Sequence, residues 1–170
     1  MKHTKFDILI PVVVFTLLMI LCTSSVARCD VEESNNVVFV EVEPQLVYNI
    51  ASVEREMLAR LVFREGNTES IECQRAIVSV VINRWQNGAW GDTLEEVVYA
   101  KNQFEPANLL YCTTPLEQNY EAVDYVLKNG VTVPEYVMYF RANYYFNWSG
   151  YKAYCRIDHT YFGYMTADIK

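Results

Sequence analysis

The chain has 170 residues, 52% of them hydrophobic and 21% charged, with a formal net charge of −7. That length and balance suit one globular domain with a proper core and exclude an intrinsically disordered chain. The acidic excess makes nucleic acid and anionic membrane surfaces poor partners, because both select for basic patches.

At the N-terminus, Lys2 and Lys5 precede an apolar run from Ile8 to Leu21, and Ser25 and Ala27 then suit the small positions of a signal-peptidase site. Residues 1–27 are therefore expected to be a signal peptide, which places the protein outside the cell, secreted or held at the surface or wall. The run is shorter than the roughly 20 residues that span a bilayer as a helix. An uncleaved anchor is the weaker alternative, and the segment could tether the chain to the membrane transiently. Cleavage would remove Lys2, Lys5 and Asp7 and leave 12 basic against 20 acidic residues. It would also leave Cys29, Cys73, Cys112 and Cys155 in an oxidising compartment, where an even count favours disulfides. Three pairings are open, and Cys73 with Cys112 is the one preferred here because both lie inside the domain.

Residues 28–51 are acidic and lack helical periodicity, so they read as a linker with at most a short strand near Val37 to Val42. The domain proper is expected over 52–170. Its first helix should start at a Ser52 cap and run through Glu65, and its second should run from about Glu69 to Trp85 with Thr68 near its cap. A third fits Thr93 to Ala100, where Thr93 and Glu96 form a capping-box pattern. A fourth fits Pro115 to Lys128, with Thr114 as cap, Glu117 completing the box and Gly130 just past the end. From Tyr136 to Tyr164 the chain holds twelve aromatic residues with strand propensity and little helical spacing, which predicts short strands and loops.

Two residue placements point to chemistry. On the first helix Val53, Met57, Leu58, Leu61 and Val62 share one arc, and Glu65 falls inside it. A carboxylate in apolar surroundings has its charged form disfavoured, so its pKa should rise, which is what a general acid needs. The plainer alternative is that Glu65 ends the helix and turns to solvent past Gly66. On the second helix Gln74 and Arg84 fall within the apolar arc of Cys73, Ala76, Ile77, Val80, Val81 and Trp85, and a buried amide or guanidinium needs polar partners. Either residue could serve a structural network or support a site. Glu72, Arg75, Ser79 and Asn83 form a polar stripe that reads as an ordinary solvated face with local ion pairs.

The stretch LARLVFREGNTESIECQRAIVSVVINRW (58–85), followed by Gln103-Phe104, YVMYFRANYYF (136–146) and IDHTYF (157–162), resembles the catalytic domain of the spore cortex-lytic and related bacterial cell-wall hydrolases. The resemblance spans roughly residues 52–165 and rests on the order of a helix-end Glu, a Gln, an Asn-Arg pair and a Gln-Phe pair; Cys73 stands where the better-known spore enzymes have a small residue. It implies an α+β, lysozyme-like fold, a mainly helical domain with a small aromatic-rich β region toward the C-terminus. It also implies cleavage of peptidoglycan glycan strands, with Glu65 as the catalytic acid. Gln74, Asn83, Arg84, Gln103 and Phe104 match motif positions that shape or support the site. Phe104, Tyr139, Phe140, Trp148 and Tyr161 are candidates to pack on sugar rings, Gln103 to bind sugar substituents, and His159 to support the site through hydrogen bonds.

Hydrolysis of the lysozyme type usually needs two carboxylates across the scissile bond, and the sequence offers no evident partner for Glu65. A lytic transglycosylase works with one, and that is the preferred mechanism. The alternatives are a hydrolytic muramidase or glucosaminidase, a wall-peptide cysteine peptidase using Cys73 and His159, and a peptidoglycan-binding protein without turnover. A zinc amidase would need several His ligands where the exported chain keeps His159 alone. No metal and no nucleotide cofactor is expected, since no phosphate-binding Gly-rich loop or ligand cluster is visible.

Overall fold

The computed structural model describes residues 46–145, 147 and 149–169, with the backbone alone for 105, 106 and 168. The expected signal peptide, most of the linker with its short strand, Cys29 and Trp148 lie outside the described residues. Among the described residues four α-helices come first: α1 (Ser52–Gly66), α2 (Ile71–Asn87), α3 (Leu94–Tyr99) and α4 (Glu117–Asn129), with a 3-10 helix at Glu105–Cys112 before the last. Three strands follow, β1 (Tyr139–Ala142), β2 (Tyr151–Ile157) and β3 (Thr160–Met165), in an antiparallel sheet of order β1-β3-β2. No helix among the described residues is long and apolar enough to cross a membrane.

Local chemistry accounts for the boundaries. The Thr93 hydroxyl accepts the Glu96 N–H and Glu96 Oε2 accepts the Thr93 N–H, as the capping-box pattern predicts. Elsewhere the caps differ from expectation. α1 is capped from Ala51, whose N–H is taken by Glu54 Oε2 at 2.8 Å. Ser70 rather than Thr68 caps α2, accepting from the Cys73 N–H. α4 begins at Glu117, with Asn119 Oδ1 accepting the Leu116 N–H, so Thr114 and Pro115 form the approach to the helix rather than its first turn.

α2 is the central element. Nearly every residue from Cys73 to Arg84 is buried, and Ile77, Val80, Val81 and Ile82 pack with Leu58, Leu61 and Val62 of α1 and Val123, Val126 and Leu127 of α4. Val53, expected in the apolar arc of α1, is 71% exposed, so the packed face of that helix begins a turn later. The supposed solvated stripe is also partly internal. Ser79 and Asn83 are buried; Ser79 Oγ bonds Arg75 O and Thr132, while Asn83 Nδ2 donates to Pro134 O and Val137 O, at 2.8 and 3.0 Å. These bonds fasten the segment leading into β1 to the helix. Residues 46–50 run beside the end of α4, where the Val47 and Tyr48 N–H groups share Leu127 O and Tyr48 and Ile50 pack on the core.

Two contacts fix how the parts meet. A Cβ on Gly66 would lie 2.6 Å from Ile77 Cδ1, so the end of α1 can close on α2 only without a side chain there. Asp158, in the β2–β3 turn at φ 50°, accepts the Ser70 N–H at 2.8 Å and ties the hairpin to the start of α2. The expected Cys73–Cys112 disulfide is not formed. Cys73 is buried near Cys155 and Thr160, whereas Cys112 is exposed on the 3-10 helix and donates to Leu109 O. Cys73 lies on the inner face of α2, which turns it away from that surface.

Candidate active site

Helix α1 ends at the mouth of a cleft of about 1150 Å³, and Glu65 in its last turn lines it, half-buried. Arg84 from α2, Trp90 and Gln103 from the connections, and all of β1 from Tyr139 to Ala142 complete much of the wall. β1 is an edge strand, so consecutive residues of both its faces reach the opening. Asn67 and Asn102 add amides at the rim. A second cavity, of about 450 Å³, is lined by Tyr48, Asn83, Gln86, Asn87, Glu135, Tyr136, Met138 and Ile169 and shares no residue with the first. Chemistry is assigned to the larger cleft because Glu65 and Arg84 meet there.

Arg84 is 4% exposed. Its Nε donates to Met138 O at 2.7 Å, and its guanidinium carbon lies 4.9 Å from the Phe104 ring centroid, 5.1 Å from Trp90 and 5.8 Å from Tyr139. The three rings stabilise the cation where water is scarce, yet Nη1 has no hydrogen-bond partner. Burial pushes Arg84 down to about 10, with Tyr139 and Glu65 acting in the opposite direction, so it stays charged at neutral pH. The attraction to Glu65 is mutual. The site therefore holds two opposed influences on that carboxyl group: burial favours the neutral acid, and the neighbouring cation favours the carboxylate.

The residues expected from sequence divide into groups. Glu65, Arg84, Gln103, Tyr139 and Phe140 come together in the cleft. Phe104 is buried beneath it, with ring centroids 6.1 Å from Phe140, and it supports Arg84 rather than facing substrate. Asn83 holds the segment before β1 and acts through it. Gln74 is a core residue: Nε2 donates to Glu69 O and Oε1 accepts from Asn119 Nδ2, away from the cleft lining. Tyr161, on the central strand β3, packs against Tyr145 and Arg156, outside the lining. His159 is likewise outside it, 69% exposed at the β2–β3 turn and 3.5 Å from Glu69. Trp90, Arg64 and Arg141 line the cleft without having been singled out. They sit in a loop, at a helix end and on a strand edge, where periodicity carries no signal.

The geometry speaks against a Cys73–His159 peptidase. The Cys73 thiol is fully buried, which pushes it up to about 12 against a weaker opposing bond from Thr160, and His159 is engaged by Glu69. A thiolate nucleophile needs the reverse: a lowered pKa and access. Ligand atoms of Glu69, Cys73 and Asp158 lie within 4.8 Å of one another at this place, the nearest approach to a metal-binding group among the described residues.

A model of the family described as Cell Wall Hydrolase matches residues 68–163, more than half of the chain. The chain belongs to that cell-wall hydrolase family. The matched segment includes Arg84, Gln103 and β1, and Glu65 lies three residues before it. The crystal structure of the catalytic domain of the Bacillus cereus SleB protein has the same fold, at a TM-score of 0.61 and 18% identity, covering 68% of this chain and 92% of that one. The architecture is thus α+β and lysozyme-like, a helical domain with a small C-terminal sheet. No curated protein matches the chain.

Proposed function

We propose that this cell-wall hydrolase cleaves the glycan strands of peptidoglycan by a lytic-transglycosylase mechanism with Glu65 as its single catalytic carboxyl group. One observation carries the reading: among the described residues that line the cleft, Glu65 is the only carboxylate. Hydrolysis by either stereochemical route usually takes two, about 5–9.5 Å apart across the bond. The protonated Glu65 donates to the glycosidic oxygen as the C1–O bond breaks. The resulting carboxylate then takes the proton of the muramic acid 6-hydroxyl while that oxygen closes on C1. The product carries a 1,6-anhydro end, Glu65 regains its proton, and no water is consumed.

The opposed influences on Glu65 suit a group that must be acid in one half-reaction and base in the next. Arg84 favours the carboxylate that accepts the second proton, and burial favours the acid that gives the first. Trp90, Tyr139 and Phe140 offer ring faces for pyranose C–H surfaces, and Gln103, Asn67 and Asn102 offer amides for acetamido and hydroxyl groups. The N-terminal segment supports export to the wall where this substrate lies. Mass spectrometry of digested peptidoglycan tests the mechanism: anhydro-ended fragments are expected, each one water lighter than the hydrolytic product. Reducing ends instead would make the enzyme a muramidase or glucosaminidase, and binding with no fragments would make it a wall-binding protein.

A further inference from the structure

The charge of the cleft is opposite to that of the chain. The protein carries a formal net charge of −7, yet among the described residues the cleft is lined by Arg64, Arg84 and Arg141 against the one carboxylate of Glu65. The three come from different elements: Arg64 from the last turn of α1, Arg84 from α2 and Arg141 from the edge strand β1. Arg64 alone would be an ordinary basic residue at a helix C-terminus, where the macrodipole favours it. Convergence with the other two is not explained that way, and neither is the buried Nη1 of Arg84, which the protein leaves without an acceptor. Arg141 and Arg64 are both exposed, so solvent and substrate can reach them. A low-dielectric cleft lined by one sign of charge focuses the field toward ligands of the other sign, and guanidinium groups match carboxylates in geometry as well as charge.

We infer that the arginine-lined cleft selects glycan strands that carry carboxylates next to the scissile bond, with Arg64 and Arg141 steering and holding them as specificity-determining residues. This rests on the glycan reading of the site. In such a strand the carboxylate has two sources, the lactyl group of muramic acid freed of its peptide and the acidic residues of an attached stem peptide. Neutral sugars then bind through the aromatic rings and amides of the cleft, and acidic strands gain the arginines in addition.

The test measures binding and leaves turnover out of it. Purified Glu65→Gln protein, with and without Arg64→Glu and Arg141→Glu, is titrated with three ligands: peptide-bearing glycan strands, strands stripped of peptide so that the lactyl carboxylate is free, and neutral oligomers of N-acetylglucosamine. Charge reversal is expected to weaken binding of acidic strands on the order of tenfold and to flatten its salt dependence. Binding of the neutral oligomer should be unchanged, which also shows that the variants are folded. Comparison of the two acidic ligands identifies the carboxylate: loss confined to peptide-bearing strands assigns the stem peptide, and loss on stripped strands assigns the lactyl group. Equal losses for neutral and acidic ligands, or no loss for either, would overturn the inference. If no glycan binds even before charge reversal, the glycan reading itself fails, an outcome distinct from the others.

Discussion

Gln74 and Arg84 begin as the same anomaly, a polar side chain in the apolar arc of one helix, and end as different things. Gln74 is fully buried and both ends of its amide are satisfied, by Glu69 O and by Asn119. Arg84 is nearly as buried, but only part of its guanidinium is matched, and the rest sits among aromatic rings at the cleft. A buried polar group whose bonds the core completes belongs to the architecture. One whose last donor is left open beside a cleft, next to a carboxyl group, belongs to the chemistry. Stability and catalysis are thereby assigned to opposite ends of α2, and substitutions can break that assignment.

The largest effect is expected at the catalytic end. Glu65→Gln keeps size and polarity and removes the transferable proton, so fragment release should fall by about 10²–10⁴-fold. Thermal melting should stay where it was, since the residue is only half-buried. Retained activity would move the chemistry off Glu65 and dissolve the contrast.

Gln74→Leu should do the opposite. It strips Asn119 Nδ2 of its acceptor inside the core and should cost about 1–3 kcal/mol, read by urea denaturation. Activity per folded molecule should be kept. Adding Asn119→Leu should cost less than the two single losses together, because the orphaned donor is removed with it. A Gln74 variant that is fully stable but inactive would show that this amide acts on the site after all.

Arg84→Met tests the contrast most directly. The guanidinium must be desolvated to sit where it does, and replacing a buried charge by an apolar chain of similar length is often close to neutral. A stability change under about 1 kcal/mol is therefore expected despite the lost bond to Met138 O. The same variant should move the alkaline limb of the pH–rate profile to higher pH, because Glu65, which must start protonated, loses the cation that favours its carboxylate. A stability loss as large as that of Gln74→Leu, with the profile unmoved, would make Arg84 a structural residue.

Much of this was legible in the residues, for identifiable reasons. Amphipathic spacing located the helices, the Thr93–Glu96 pair fixed one start, and β propensity placed the strands among the aromatic residues. Glu65 and Arg84 stood out because each broke a periodic pattern. Caps were less legible, since Ala51 and Leu116 have no capping side chain and rely on Glu54 and Asn119 reaching back. Asn83 was misread because its position on the helix looks polar and solvated, and only the tertiary fold brings Pro134 and Val137 over it. The Cys73–Cys112 pairing failed because cysteine count carries no information on which face of a helix each thiol takes. Trp90 and Arg141 required the cleft itself.

The smallest effect comes from a half-exposed cluster and sets the scale for the buried ones. Glu56 accepts from Arg60 Nε at 2.8 Å and from the Tyr120 hydroxyl, with its side chain 36% exposed. Tyr120 first, and then Arg60, hold its carboxyl below the usual 4.5. A depressed carboxyl contributes stability that is fully present above the unfolded value and is lost as pH falls through the folded one. Wild-type protein should therefore lose more stability than Glu56→Gln between about pH 6 and about pH 3.5, with the gap measured by urea denaturation at each pH. Because water competes for the same partners, the gap should not exceed about 0.5 kcal/mol. Glu56 makes as many hydrogen bonds as Gln74, so a gap as large as the Gln74→Leu loss would mean that bond count, and not burial, decides what a polar residue of this protein contributes.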